Sequence, residues 1–320
     1  TIRAFLKSLC ALPGKANMAC NNNTTICFTR NILLIGMFLV FVLYSHPSQA
    51  QLVADIHEPS GRLTNQWWDT HPKRLGFDWE VSCSLESNYL WRGLYVGGLS
   101  IQPYAKVSYE GVFIDTWWNI GSNNWAFEAF NPELDISIGL NRWGLILQFT
   151  HMYYFDRYSN GERTKFFDYK DPKDGIGGIN TEWKIGYKIS SRIPLSIMWG
   201  TRTWGKDGYI DNEGNRKRAY STYIELGYDF NLPHDFSIQA KIGITPWKSV
   251  YTFYQGDFAV NNISIKGLHT WKINRHITLD AHVHIMLNTW NVNKYNLIRQ
   301  INECSDQKLN LNLGFAIYYD

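Results

Sequence analysis

Residues 308–319 read KLNLNLGFAIYY, and every second side chain of this stretch is apolar. One side carries Leu309, Leu311, Leu313, Phe315, Ile317 and Tyr319, and the other carries Lys308, Asn310, Asn312, Gly314, Ala316 and Tyr318. Successive side chains of a β-strand point to opposite faces of the sheet. The alternation therefore predicts a strand with one apolar face and one face of polar or small residues.

The same alternation recurs from Phe77 onward in segments of about ten residues. The predicted strands cover residues 77–92, 99–110, 112–120, 133–141, 144–155, 179–190, 195–204, 218–230, 236–245, 263–273, 276–288 and 307–319. Their number, about twelve, is even, which is typical of bacterial transmembrane barrels.

The connections between the predicted strands alternate in length. Short turns are predicted at 110–111, 141–143, 191–194, 231–235 and 274–275, and longer loops near 93–98, 121–132, 156–178, 205–217, 246–262 and 289–306. Outer-membrane barrels have short periplasmic turns and longer external loops. The sequence therefore predicts an all-β fold, a single antiparallel up-and-down transmembrane β-barrel of about 12 strands. A soluble sandwich has no reason to keep its long connections at one end, although it can do so by chance.

Charged residues at mid-strand positions favour an inverted barrel, with its apolar side toward lipid and its polar side toward an enclosed lumen. The residues predicted to line the lumen are Lys106, Asp135, Glu182, Lys184, Lys188, Arg202, Glu225, Asp229, Lys241, Asp280, His282 and His284. Aromatic residues near strand ends fit the girdles at the two membrane interfaces: Trp118, Trp143, Trp199, Trp247, Trp271 and Tyr319. The alternative for these aromatics is the core of an ordinary sandwich.

An apolar stretch from Ile32 to Tyr44 follows Arg30 and precedes the triplet Ser48-Gln49-Ala50, a pattern typical of a secretory signal. The stretch is shorter than the ~20 residues that span a bilayer as a helix, so an uncleaved anchor is the alternative. The domain prediction is residues 1–50 as an export signal cleaved near Ala50, 51–76 as a periplasmic segment and 77–320 as the barrel. Residues upstream of Met18 are interpreted as a start-site artefact.

Composition limits the other classes of function. The chain has a net charge of +3 and no Lys/Arg block, which argues against nucleic acid as a partner. Cleavage would leave two of the five cysteines, Cys83 and Cys304. If Phe77 lies opposite Tyr319, Cys83 faces Leu313, about 30 Å along the strand from Cys304, so no disulfide is expected.

Four groups of residues are candidate sites of catalysis or ligand binding. Asp280, His282 and His284 share one strand face and could hold a divalent metal, but a polar lumen network is the favoured interpretation. His151 and Ser159 resemble the His-x-Ser motif of outer-membrane lipases, but their spacing does not place a base beside a nucleophile.

The other two groups lie in predicted external loops. Asp168, Asp171 and Asp174 could bind a cation, and the cluster Arg216, Lys217 and Arg218 could meet lipopolysaccharide phosphates. Solvated loops are the alternative for both. The sequence thus predicts no catalytic residues, no metal site and no cofactor.

Two stretches resemble known outer-membrane proteins. Gly314, Phe315, Ile317 and Tyr319 look like the terminal-strand signal that the barrel-assembly machinery reads, except that Asp320 follows the last aromatic. The run Ser87-Asn88-Tyr89-Leu90-Trp91-Arg92-Gly93, followed by Gln102-Pro103, resembles the first-hairpin pattern of the TorF-like family of outer-membrane porins. That resemblance covers about 25 residues and implies a barrel, without implying a substrate.

The functional prediction is a narrow porin in the cell outer membrane that passes small hydrophilic solutes, because a 12-stranded barrel is wider than a packed eight-stranded one and narrower than a general porin. Its expected partners are outer-membrane lipid, lipopolysaccharide, the assembly machinery and the solutes. Two rivals remain open: an envelope or adhesion protein with a closed lumen, and an outer-membrane lipid hydrolase. The oligomeric state is not predicted.

Overall fold

The computed structural model describes residues 76–121, 132–155, 161–171, 178–190, 193–290 and 309–319. Twelve strands close into one antiparallel barrel, which confirms the predicted fold class and strand number. They are β1 Phe77–Glu86, β4 Ser100–Tyr109, β5 Val112–Gly121, β6 Glu133–Arg142, β7 Leu145–Tyr154, β8 Ile179–Lys188, β9 Leu195–Gly205, β12 Thr222–Leu232, β13 Phe236–Thr245, β14 Ala259–Lys272, β15 Ile277–Leu287 and β16 Leu309–Tyr319.

Two small hairpins stand apart from the wall of the barrel. One pairs β2 (Tyr89–Trp91) with β3 (Leu94–Gly97), and the other pairs β10 (Gly208–Ile210) with β11 (Arg216–Arg218). Both lie in connections at the end of the barrel opposite Phe77 and Tyr319. No helix within the described ranges is long and apolar enough to cross a membrane.

The strand bounds confirm the alternation of connection lengths. At the end where β1 begins and β16 ends, the chain passes from one wall strand to the next through 110–111, 143–144, 189–194, 233–235 and 273–276. The connections at the other end are longer. The first of them is 87–99 and the last is 288–308. Each strand therefore pairs with its sequence neighbours in the wall, and β1 pairs with β16 to close it.

The closing register differs from the sequence prediction. Val81, not Phe77, lies opposite Tyr319, and Cys83 lies opposite Ile317. The strands of a closed barrel tilt and are staggered, so the first residue of one strand does not meet the last residue of its neighbour. Cys83 is a free cysteine, whereas Cys304 lies outside the described residues.

Three predicted strands end or begin at other residues. The predicted strand 263–273 begins earlier, at Ala259. The predicted strand 77–92 is wrong beyond Glu86, where the wall strand ends before the first small hairpin. The predicted strand 218–230 begins only at Thr222. There, the Asp207 carboxylate accepts hydrogen bonds from Ser221 N at 2.8 Å and Ser221 Oγ at 2.5 Å, which hold the preceding residues in a loop.

The two faces of the wall have opposite chemistry. On β14, the side chain of Ile265 is 54% exposed, whereas its neighbour Ser264 is 4% exposed. The same contrast repeats around the barrel, with Val, Ile, Leu, Phe and Trp outside and buried polar residues inside. A closed wall leaves no strand edge, which satisfies the backbone groups that would otherwise face hydrocarbon.

Ile265→Arg is expected to lower the free energy of unfolding by about 2–4 kcal/mol, because it places a charge on the apolar outer face at mid-strand. Equilibrium urea unfolding in lipid vesicles measures the loss. Lys266→Arg is the matched control, since it puts the same side chain one residue away on the inner face, where a long basic residue already lies. Equal losses in the two variants would contradict the assignment of Ile265 to the lipid side.

Candidate functional site

The predicted lumen residues all lie on the inner face of the wall, where the alternation of each strand places them. They are Lys106, Asp135, Glu182, Lys184, Lys188, Arg202, Glu225, Asp229, Lys241, Asp280, His282 and His284. Several of them meet across neighbouring strands. Lys188 Nζ lies 2.9 Å from Asp229 Oδ2, and Lys241 Nζ lies 3.6 Å from Glu225 Oε1. The interior therefore contains ion pairs between inner-face side chains.

The β2–β3 hairpin folds back into this interior. Tyr89 Oη donates to Glu133 on β6, and Arg92 reaches Glu182 on β8. The side chain of Asn261 on β14 donates to the backbone carbonyl of Arg92. Because β6, β8 and β14 lie on separate arcs of the wall, one short hairpin can contact all three only from inside the lumen.

The turn of the hairpin is a tight one that only a few residue types favour. Arg92 and Gly93 both have positive φ, at 48° and 87°, as a two-residue hairpin turn of type I′ requires. Glycine adopts this conformation freely, but arginine is uncommon there, and such outliers often mark functional positions. A Cβ on Gly93 would lie 1.8 Å from the backbone oxygen of Asn261, so only glycine fits.

The Arg92 side chain fixes the hairpin to the opposite wall. Its Nη1 donates to Glu182 Oε1 at 2.5 Å and its Nη2 donates to Glu182 Oε2 at 2.9 Å. Nη1 also donates to Tyr251 Oη at 2.6 Å. Two parallel hydrogen bonds between guanidinium and carboxylate form the strong bidentate geometry, and both partners are almost fully buried.

Tyr251 belongs to a 3-10 turn, Val250–Thr252, in the connection between β13 and β14. Burial raises the pKa of Tyr251 to about 12 against the opposing charge of Arg92, so its phenol is neutral near pH 7. The same connection approaches Asp207, whose pKa burial raises while Arg202 and Ser221 oppose the rise. Two external connections therefore meet over the hairpin.

Aromatic and apolar side chains surround the ion pair between Arg92 and Glu182. Trp91 and Leu94 of the hairpin pack on a buried cluster that consists of Phe113, Ile146, Met198, Tyr223 and Tyr251. The Arg92 guanidinium lies over the rings of Trp91 at 4.8 Å and Tyr223 at 5.0 Å. The cluster fills part of the space that the wall encloses.

The base of the hairpin is anchored to β16. Ser87 Oγ and Asn88 N both donate to Asn312 Oδ1, at 3.2 and 3.0 Å. Asn312 Nδ2 in turn donates to Glu86 Oε2 at 2.7 Å, and His282 Nε2 lies 3.0 Å from the same oxygen. These contacts hold the hairpin at its entry into the lumen.

Gly314, which the sequence analysis placed in the assembly signal, also has a packing role. A Cβ at Gly314 would lie 2.3 Å from Glu86 Oε2 and 2.3 Å from His282 Cε1. Glycine therefore leaves the space that this pair occupies.

The sequence analysis did not identify Glu86, Arg92, Tyr251 or Asn312 as site residues. The signal available in the sequence was the Arg92-Gly93 pair. A type I′ turn favours glycine at its second central position. The partners could not be found in the same way, since Arg92 and Glu182 are 90 residues apart in sequence.

The other candidates for chemistry are placed as follows. His151 faces outward, with its ring centroid 4.6 Å from that of Phe166, and Ser159 lies outside the described residues. Asp280 accepts a hydrogen bond from Thr270 Oγ1 at 2.7 Å. Among the described residues, no group of three or more His, Cys, Asp or Glu side chains could hold a metal ion.

The basic loop cluster is engaged with the chain itself. Arg216 donates to both oxygens of Asp171, at 2.6 and 2.7 Å, and Lys217 Nζ lies 2.8 Å from Asp211. Arg218 donates to the backbone oxygen of Gly205. Asp168 lies in the described part of its loop, and Asp174 does not.

A closed antiparallel barrel with an apolar exterior and a charged interior is the architecture of a transmembrane β-barrel. Neither a protein-family model nor a curated protein matches the chain. The resemblance of residues 87–93 to TorF-like porins therefore stays a resemblance.

Similar solved structures include the NanC porin, at 9% identity and a TM-score of 0.40 over 76% of this chain and all of that one. An outer-membrane channel from Pseudomonas putida F1 is 11% identical, with a TM-score of 0.40 over 78% of this chain and 97% of that one. The CymD monoaromatic hydrocarbon channel is 8% identical, with a TM-score of 0.37 over 80% and 91%. Similarity at these low values does not indicate the function of this chain.

Proposed function

We propose that this protein is a narrow channel of the bacterial outer membrane through which small hydrophilic solutes diffuse. The observation that carries the proposal is the bidentate pair between Arg92, on an external connection, and Glu182, on the far wall. Charged groups on the inner face keep the rest of the lumen hydrated, while the hairpin limits the size of what can pass.

Outer-membrane insertion is part of this proposal. The side chains of Phe315, Ile317 and Tyr319 all face outward on the last strand, where assembly factors and lipid could reach them. We infer that these residues, with Gly314, form the assembly signal. Outer-membrane lipid and lipopolysaccharide are the partners that such an apolar surface would contact.

The second candidate is an envelope protein with a closed lumen. The buried aromatic cluster against the hairpin favours it, because Trp117, Tyr223 and Tyr251 are completely inaccessible. Single-channel recording of the refolded protein in planar bilayers separates the two candidates. Stable conductance steps support the channel, and a silent protein that is correctly folded in the bilayer overturns it.

Lys184→Glu and Lys241→Glu are each expected to shift the reversal potential in a salt gradient toward cation preference, by about twofold or more in permeability ratio. Both lysines lie on the inner face, so a reversed charge changes the potential that a permeating ion meets. Lys217→Glu is the control, because Lys217 is 57% exposed on the external β10–β11 hairpin. An unchanged reversal potential in the first two variants would remove these lysines from the conduction path.

A further inference from the structure

Arg202 is a buried arginine whose guanidinium makes no hydrogen bond or close ion pair within the described part of the chain. It lies on the inner face of β9, is 5% exposed and carries five N–H donors. No hydrogen bond or ion pair joins its guanidinium to any residue in the described part of the chain, and its buried Nε has no hydrogen-bond partner there. The ring centroid of Trp91 lies 5.3 Å from its Cζ, and the charges of Asp207 and Glu182 act on it without a hydrogen bond.

The other guanidinium beside Trp91 shows what is missing. Arg92 Cζ lies 4.8 Å from the same ring centroid, yet Arg92 has two carboxylate oxygens and a phenol oxygen as acceptors. Lys188, elsewhere on the inner face, also has a carboxylate partner. Burial of a charged group whose N–H donors make no hydrogen bonds is costly. The arginine in this position therefore requires an explanation.

Nearby carboxylates are already engaged. Both oxygens of Glu182 are bound by Arg92, although Glu182 also interacts electrostatically with Lys184 and Arg202. Asp207 accepts two hydrogen bonds from Ser221 and one from Tyr254 Oη at 3.4 Å. Glu182 and Asp207 therefore act on Arg202 through their charge, while their oxygens are bound by other groups.

We propose that Arg202 binds the carboxylate group of a small organic anion inside the lumen, next to Trp91. This inference rests on the proposed channel and names the class of solute that it holds. The fork of a guanidinium matches the two oxygens of a carboxylate, as Arg92 and Glu182 illustrate a few ångströms away. A monoanion costs less to desolvate beside an indole than a doubly charged phosphate, which favours the carboxylate.

Binding is best measured without relying on conduction. The thermal unfolding midpoint of the refolded barrel in detergent is followed while sodium propionate replaces sodium chloride at constant ionic strength. A ligand that binds only the folded state raises the midpoint in a saturable way. We expect a saturable rise for the wild-type protein, its loss in Arg202→Met, and at least a tenfold weaker half-saturation in Arg202→Lys, which keeps the charge but loses the fork.

Arg216→Met is the matched control, because Arg216 lies on an external hairpin and already binds Asp171. It should keep the wild-type response to propionate. In chloride alone, Arg202→Met should have an unfolding midpoint at least as high as that of the wild-type protein. The substitution removes a buried guanidinium whose N–H donors make no hydrogen bonds. An equal propionate response in wild type and Arg202→Met would overturn the site, as would a rise that does not saturate.

The two proposals fail separately. Conductance steps without a propionate-dependent midpoint would leave the channel intact and refute the anion site. A saturable, Arg202-dependent midpoint in a protein that never conducts would support the site and refute the channel. Reversible block of the wild-type current by propionate, lost in Arg202→Met, would support both.

Discussion

Replacement of residues 88–98 by two glycines is expected to raise the single-channel conductance at least about threefold, because it removes the hairpin from the lumen and leaves the wall of the barrel intact. Glu86 and Ser100 are already paired on neighbouring strands, so Ser87, two glycines and Leu99 suffice to connect β1 to β4. The measurement is planar-bilayer recording at fixed salt concentration.

The matched control shortens the other small hairpin. Residues 211–215 lie between the paired Ile210 and Arg216, so two glycines can replace them in the same way. This hairpin is exposed, and the control should keep the wild-type conductance. A deletion variant of 88–98 that folds and conducts like the wild-type protein would show that the β2–β3 hairpin does not narrow the path. Conductance only after the deletion would establish the closed-lumen alternative.

The wall of the barrel was predictable because its rules are local. A strand that separates lipid from a polar lumen must alternate, so residues such as Phe315 and Asn312 reveal their faces from sequence parity alone. The lengths of the connections then indicate at which end of the barrel β1 begins and β16 ends. Closure follows because a membrane strand cannot leave its edge unpaired.

The interior was not predictable to the same degree. In residues 87–92, Tyr89 and Trp91 keep the alternation of β1 and Ser87 and Leu90 break it, but this break does not say where the chain goes after it leaves the wall. The departure depends on contacts with Asn312, Glu182 and Asn261, which lie 90 or more residues away in sequence. The register at closure failed for a related reason, since stagger is a property of the complete barrel and not of β1 and β16 alone.

The buried pair between Arg92 and Glu182 explains how the hairpin stays inside the lumen, and it gives the largest expected change in stability. Loss of one partner of a buried ion pair costs about 3–5 kcal/mol, because the other charge remains buried without compensation. Urea unfolding in lipid vesicles should therefore show a lower free energy of unfolding for Arg92→Met and for Glu182→Gln. The double variant should lose less than the sum of the two.

The two single variants should not be equal. Without Arg92, Glu182 still has Lys184 and Arg202 within electrostatic range, so part of its charge is compensated. Without Glu182, Arg92 loses both carboxylate oxygens, while Lys184 and Arg202 remain nearby as like charges. Glu182→Gln should therefore fall near the upper end of about 3–5 kcal/mol and Arg92→Met near the lower end. Additive losses would mean that the two charges are not coupled, and the reverse order would mean that Lys184 and Arg202 do not share the field of Glu182.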